Sequence, residues 1–570
     1  MLRPDAPAPP KSRVKLYDKF DLTKELVRLS RHRDKFTGNR ACEGVILIGS
    51  LGSAKSTSSL DLFGTAYLQA RPKWGAIILC AKASAAEDAR KMVYGAGRAA
   101  DLIEYGPETD ECLNWLDWEY RDFGDGVGRV DNLMEVFNSA MEIMQRSAGQ
   151  KESEPFWKYA NDQGMKNLFF IDAQGNGSID LSRVLEMWQT LPRDFADLEE
   201  PDKFASLRTL LMAEMNCSPE QKRSLKMARN WILEMAGLSE RTKSCIQQMA
   251  VGMIDPHARD LMHRAMGRKS TWTPEDICER GKIVLISYDV KRYGMTGKLV
   301  NVLTKRCVER AIERRLAKYK GNMKALRPVA IICDEMPYFI DSADLEFLRT
   351  CRESRAACLW SFQSIPSVVA EFGGSSMAET QVKSILSLFG TKIIHQNDDP
   401  DTNKALADMI SQDLRLRESY NQGQTPGGSS SGRTWNLQWE HVVPTIAMKE
   451  LKRGGAEYKW DVRAIMTMAG YKWHETGKSA CAVKFFQNVP DAIKENRLLK
   501  NFPRAPIYML VDSRATARSF AWHTPIWRLL WNCCQRPHLA RIFIRHWLGF
   551  WMGADAAVMD ALETEIRNGF

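Results

Sequence analysis

One stretch constrains this chain more than any other: Val45-Ile46-Leu47-Ile48-Gly49-Ser50-Leu51-Gly52-Ser53-Ala54-Lys55-Ser56-Thr57. Its first four residues are aliphatic, three of them β-branched, and read as a buried strand. A Gly- and Ser-rich turn comes next, and Lys-Ser-Thr then opens a segment with helical spacing at Leu60, Phe63, Ala66 and Tyr67. Strand, loop and helix in that order turn successive backbone N–H groups towards one anion at a helix N-terminus. The loop is therefore expected to hold the phosphates of ATP through Gly49, Ser50, Gly52, Ser53, Ala54, Lys55, Ser56 and Thr57. Lys55 would reach the β/γ-phosphates and Ser56 would ligate Mg2+. Ala54 stands where the usual pattern has Gly, and it is expected to take helical φ/ψ with its methyl close to the phosphates.

A second strand is expected at Trp74–Cys80, with a helix over Ser84–Tyr94 after it. Strand and helix alternating at this spacing predict a parallel sheet covered on both faces. From about 150 to 270 the periodicity becomes helical throughout, as in Leu225-Met227-Trp231-Ile232-Met235, and an all-α insertion is expected there. Strands resume at Gly281–Ser287 and Pro328–Cys333, with a helix over Thr296–Tyr319 between them. Residues 11–43 are expected to be helical, and 421–433, rich in Gly, Ser and Gln, to be a flexible loop or linker.

Asp334-Glu335 comes directly after the apolar run 329–333. Carboxylates at a strand's C-terminal edge lie where an α/β sheet binds its ligand. The first acid is expected to hold Mg2+ and the second, Glu335, to polarise the attacking water; helix capping is the alternative for such a pair. Gln363 ends the next strand and would sense the γ-phosphate. Arg352 and Arg355 lie between; Arg352 is taken as an arginine finger towards a neighbouring subunit, a role Lys fills poorly, and a solvated helix face is the competing reading for either.

These residues, in this order, resemble the conjugative coupling proteins of type IV secretion systems (TraG/TraD-like), within the HerA/FtsK-like ATPases. The likeness extends over roughly residues 40–488. It includes Lys82–Pro107, Asn114-Trp115-Leu116, Pro155–Ala160, the Tyr293-Gly294-Met295-Thr296-Gly297 turn, Phe389–Asn397 with Asp401-Thr402, and Leu451-Lys452-Arg453-Gly454-Gly455. The resemblance implies an α/β, RecA-like twisted parallel sheet with an all-α insertion and a helical C-terminal extension. It implies a homo-hexameric Mg-ATP motor that moves DNA or delivers a nucleoprotein to a secretion channel, with relaxosome or channel proteins as partners. The expected parts are a lead-in over 1–40, an ATPase core over 41–150 and 271–488, a cargo-recognising insertion over 151–270, and an extension over 489–570. Alternatives are a HerA-like DNA-processing or defence ATPase working with a separate nuclease, and a nucleotide-gated ring scaffold with little hydrolysis.

With 570 residues, 44% of them hydrophobic, the chain has material for two or three domains. Its formal charge of +10 permits nucleic-acid or anionic-membrane partners without requiring either. Thirteen Cys without a regular framework fit reduced thiols, Cys533-Cys534 being the one close pair. Family members usually begin with two transmembrane helices; here no run of ~20 apolar residues occurs. A cytoplasmic protein is expected, peripheral at the inner membrane if a partner or the C-terminus attaches it. Residues 505–550 carry six Arg and one acid, Asp512, with Trp522, Trp527, Trp531 and Trp547 interleaved. That pattern suits a helical hairpin packed on the core, an interfacial helix on an anionic bilayer, or nucleic acid. Residues 291–327 hold twelve Lys or Arg against Glu309 and Glu313, either a solvated face or one turned to DNA phosphates. The isolated His32, His257, His263 and His395 are expected to be structural.

Overall fold

The computed structural model describes residues 19–30, 34–121, 129–147, 155–320, 322–425, 428–474, 476–487 and 510–511. The expected Trp/Arg-rich extension, the vicinal Cys533-Cys534 and His32 lie outside the described residues.

The short aliphatic runs become the middle of a ten-stranded sheet. In chain order its strands are β3 (Val45–Ile48), β4 (Gly75–Leu79), β5 (Leu102–Tyr105), β6 (Ile283–Ile286), β7 (Val329–Cys333), β8 (Ala356–Phe362), β9 (Thr391–Ile394), β12 (Asp461–Met468), β13 (Ala480–Phe486) and β14 (Leu510–Val511). Their spatial order is β14-β13-β12-β9-β3-β8-β7-β4-β6-β5. From β9 to β5 all neighbours are parallel; β12, β13 and β14 extend the sheet antiparallel beyond β9. Alternate residues feed two cores. Ile46, Ile48, Ile77 and Leu79 face one side, and Val45, Leu47, Ala76 and Ile78 the other. Burial on both faces is why these strands read as unbroken apolar runs.

Every described element between β5 and β6 is helical, from Trp115–Arg121 to Pro274–Cys278. β5 and β6 are neighbours at one end of the sheet. The helical excursion therefore leaves and re-enters at that edge, remote from β3.

Three expectations need correction. Residues 19–43 are not mainly helical: β1 (Glu25–Arg28) pairs antiparallel with β2 (Lys35–Thr37), and one short helix, Gly38–Cys42, comes after them. Period-2 burial of Val27, Leu29 and Phe36 decides the matter against the mixed charge of the segment. The expected flexible linker over 421–433 lies within a hairpin, β10 (Gln412–Thr425) with β11 (Gly428–His441), whose register runs unbroken from Gln412↔His441 to Thr425↔Gly428. Its flanks, Leu414-x-Leu416 and Trp435-x-Leu437-x-Trp439, alternate as strands do, and that alternation outweighs the Gly/Ser content between them.

The basic run 291–327 is the third. It forms most of the helix Val290–Lys318, broken at Gly294; from Gly297 to Arg315 this helix is largely buried rather than solvated, and Lys291, Arg292 and Lys318 at its ends are exposed. Lys305 Nζ donates to Asp344 Oδ1 and Oδ2 at 2.5 and 2.6 Å. Arg310 and Arg314 both pair with the fully buried Glu119. The Arg315 guanidinium donates to the carbonyls of Arg327 and Ser354. Burial alone would depress the Lys305 pKa, but the Asp344 carboxylate, with Asp341 and Glu309 beside it, holds that ammonium above the ordinary lysine value. Among the described residues no helix is long and apolar enough to cross a membrane.

Candidate nucleotide-binding site

The loop after β3 is held on both sides. Gly49 N donates to Phe362 O at the end of β8, and Ser50 N donates to Gln396 O beyond β9. A Cβ on Gly49 would lie 2.7 Å from both His395 Cβ and Ser53 Oγ, so the close approach excludes any side chain. Gly52 has open space around it but φ +76, which glycine adopts freely. Ala54 differs from expectation: its φ is +60, left-handed rather than helical. The turn needs the conformation that Gly supplies in the usual pattern, and here an alanine is forced into it at a cost of about 1–2 kcal/mol.

Lys55 and Ser56 then start a wide turn, with Leu60 N donating to Lys55 O at 3.0 Å, before the helix Asp61–Gln69 begins. Lys55 is buried, and its Nζ donates to the loop's own carbonyls at Gly49 and Ser50. Burial lowers its pKa, opposed by the carboxylates of Glu335 and Asp334. The Ser53 hydroxyl is buried with no hydrogen-bond partner among the described residues. Thr57 Oγ1 accepts from Gln487 Nε2 at 3.1 Å, and Gln487 Oε1 accepts from Gly455 N at 2.7 Å. The Leu451–Gly455 turn is thereby tied to the phosphate loop.

β8 alone separates β3 from β7, so the acids after β7 lie across one strand from the loop. Ser56 Oγ donates to Asp334 Oδ2 at 2.8 Å, across 278 residues of sequence. Ser361 Oγ, on β8, donates to Asp334 Oδ1 at 2.6 Å. Glu335 has φ 62 and ψ 59, a left-handed backbone that turns the chain out of the strand. Strain of this kind in a non-glycine residue clusters at working sites. The Glu335 carboxylate accepts from Gln363 Nε2 at 2.9 and 3.1 Å and pairs with Lys82 Nζ at 3.4 Å. Gln363 is steadied by Asn397 Nδ2, which donates to its carbonyl. Lys55, Ser56, Asp334, Glu335 and Gln363 thus meet at the carboxyl ends of the parallel strands, as a ligand site in such a sheet requires.

Arg352 does not join them. It precedes β8, at the amino-terminal end of the parallel strands and so opposite the site, 75% exposed and 3.7 Å from Glu43 Oε1. Arg355 (φ 57) donates to the carbonyls of Phe20 and Leu326, which gives it a structural role. Sequence alone did not single out two residues close to the acids. Ser361 lies inside an apolar strand run, and its place beside Asp334 depends on the β7–β8 register. Lys82 ends the strand region on the far side of β7, and only the sheet order brings it near Glu335. His395 is structural, as expected: its Nε2 lies 2.7 Å from Ser59 Oγ, and burial, with Lys55 nearby, pulls its pKa down to about 3.

The residues present fit a magnesium nucleotide. The loop offers backbone N–H groups and an orphaned hydroxyl, and Ser56 with Asp334 offers the hard oxygen donors that Mg2+ takes.

Residues 328–453, which include Asp334, Glu335 and Gln363, match the family model TraG-D_C, the TraM recognition site of TraD and TraG. This segment is similar to that part of the TraD and TraG coupling proteins. The coupling-protein fold also extends beyond it. The trigonal form of the bacterial conjugative coupling protein TrwBdeltaN70, in complex with sulphate, is 12% identical, with 81% of this chain and 89% of that chain covered and a TM-score of 0.52. The likeness is one of fold, a RecA-like core with helices attached. Plasmid coupling protein TrwB in complex with ADP and Mg2+ is 11% identical over 81% of this chain and 89% of that chain, with a TM-score of 0.49. VirB4 of Thermoanaerobacter pseudethanolicus is 11% identical over 67% and 87%, with a TM-score of 0.38. No curated protein sequence matches the chain.

Proposed function

We propose that this protein is a Mg-ATP-dependent motor of the conjugative coupling type, working as a homo-hexamer on DNA or a nucleoprotein. The observation that carries the reading is the hydrogen bond between Ser56 and Asp334, with Lys55 and Glu335 beside it. No packing need explains why a loop serine and a strand-end aspartate 278 residues away should be hydrogen-bonded.

In this reading the loop N–H groups and the Ser53 hydroxyl bind the phosphates. Lys55 leaves the carbonyls of Gly49 and Ser50 for the β/γ-phosphate oxygens. Ser56 and Asp334 hold Mg2+, which supplies charge neutralisation at the β- and γ-phosphates. Glu335 accepts a proton from the attacking water as the new O–P bond forms and the β–γ bridge bond breaks, leaving ADP and phosphate. Gln363, bonded to Glu335, orients that carboxylate and registers the γ-phosphate. Arg352, remote from its own loop and exposed, acts on a neighbour's nucleotide. The helices over 151–270 recognise cargo, and relaxosome or secretion-channel proteins are the partners.

A second reading rests on Ala54. A left-handed alanine beside the phosphates suits a nucleotide-gated ring scaffold that turns over slowly.

ATP turnover with and without DNA, for the wild type and Glu335→Gln, tests the proposal. DNA-stimulated hydrolysis that the substitution lowers by about 100-fold or more is expected. Turnover indifferent to DNA removes nucleic acid as the cargo, and binding without turnover favours the scaffold.

A further inference from the structure

Lys82 has no structural task that explains a lysine. It precedes the helix Ala83–Gly95, where its carbonyl accepts from Ala85 N and Ala86 N, a contact any residue type can make. Its side chain is 41% exposed, and among the described residues its Nζ has one partner, Glu335 Oε1, at 3.4 Å. Charge-assisted hydrogen bonds draw in to about 2.7–2.9 Å, so this one is loose. A half-exposed pair of that length adds little to stability. Lys305, buried and bonded to both oxygens of Asp344 at 2.5 and 2.6 Å, is what a structural lysine looks like in this fold.

Register brings Lys82 to the site. Leu79 pairs with Cys333 and Cys333 with Trp360, so the residues after β4, β7 and β8 emerge side by side. The Glu335 carboxylate sits between them. Gln363 Nε2 donates to it at 2.9 Å from the β8 side, and Lys82 approaches it from the β4 side. The Lys82 charge is also felt by Lys55: burial lowers the Lys55 pKa most, and the Lys82 ammonium pushes it the same way. Two cations and two carboxylates thus share one small space, Lys55 and Lys82 against Asp334 and Glu335, and their charges balance.

A bound nucleotide upsets that balance to a degree set by its phosphates. Mg2+ with ATP brings more negative charge than Mg2+ with ADP, and the excess lies on the terminal phosphate. A terminal phosphate carries more charge than a carboxylate and offers more acceptor oxygens. A lysine held loosely by Glu335, on a flexible four-carbon stem, is free to exchange the one for the other.

We propose, on the basis of the nucleotide reading above, that Lys82 is a second phosphate cation, which leaves Glu335 for the terminal phosphate of ATP and stays with Glu335 when ADP is bound. The exchange lets a single subunit tell ATP from ADP. It also uncovers the Glu335 carboxylate, still oriented by Gln363, only when there is a terminal phosphate to attack.

Nucleotide affinity tests this without reference to turnover. The full chain and its variants Lys82→Met and Lys291→Met are titrated calorimetrically, in Mg2+, with the non-hydrolysable analogue β,γ-imido-ATP and with ADP. Lys291 is an exposed neighbour whose Nζ lies 5.3 Å from the centre of the Tyr338 ring, and it controls for the general loss of a positive charge. Lys82→Met is expected to weaken the ATP analogue on the order of tenfold, the size of one lost hydrogen bond to a charged group, and ADP by less than about twofold. Retained ADP binding reports that the variant is folded. An unchanged ratio of the two affinities, an equal loss of both nucleotides, or the same selective loss from Lys291→Met overturns the proposal. If the wild type binds both nucleotides and Lys82→Met leaves their ratio unchanged, the nucleotide reading stands and only the role of Lys82 falls. If the wild type binds neither, both fall together.

Discussion

The phosphate loop contains a residue under conformational strain. Ala54 sits at φ +60 where glycine would be at ease. Ala54→Gly is expected to stabilise the protein by about 1 kcal/mol, read from the denaturant midpoint, with part of the gain offset by the greater freedom of glycine in the unfolded chain. Turnover of the same variant separates the two functional readings: an unchanged rate fits a competent motor, and a large rise fits a scaffold that alanine restrains. Glu335 is the other left-handed non-glycine in the site, and its case is different. Its side chain is held by Gln363 and Lys82, so the strained backbone aims a carboxylate. At this scale the sequence was informative about identity and silent about conformation. Asp334-Glu335 stood out because acids follow an apolar run, whereas nothing local marks the sign of φ at Ala54.

The long helix Val290–Lys318 shows where composition misleads at the scale of elements. Its charge suggested a surface, because Lys and Arg are almost never fully buried unless paired. The pairing partners, Glu119 and Asp344, lie on other elements far along the chain, and no window of sequence contains both halves. Strands were easier to read than helices for the converse reason. Val45–Ile48 and Val329–Cys333 are continuous apolar runs because both faces are covered, a property each run carries by itself. The Lys305–Asp344 pair also anchors the segment after Glu335: Asp344 Oδ2 accepts from Asp341 N, and Asp341 Oδ1 accepts from Ala343 N. Lys305→Met leaves Asp344 buried without its cation and is expected to cost about 3–5 kcal/mol of stability. The double variant Lys305→Met/Asp344→Leu should recover most of that loss in the same unfolding measurement.

At the scale of the whole molecule, Arg352 tests whether neighbouring copies complete the site. It lies at the amino-terminal end of the parallel strands, opposite its own phosphate loop, so a role in hydrolysis requires a head-to-tail interface that closes into a ring. Arg352→Ala and Glu335→Gln are each expected to abolish turnover alone. Mixed in equal amounts, they should regain turnover at about a quarter of the wild-type sites, where an intact Glu335 meets a neighbour's Arg352. No recovery on mixing would leave Arg352 as a surface residue. The order of motifs along the chain disclosed the architecture. The placement of one copy's edge against another's site depends on contacts between chains, which motif order does not encode.

The place of β3 in the sheet has a consequence for how the protein is made. Both of its neighbours, β8 and β9, come from the second half of the chain. A ribosome working at ~5–20 residues per second needs roughly 15–60 s to supply the intervening 300 or so residues. For that time a wholly aliphatic strand of the core has neither edge paired, and the phosphate loop has no wall behind it. Such a chain depends on a chaperone, or on early collapse against the helix Asp61–Gln69, to keep Val45–Ile48 from pairing with the same strand of another nascent copy.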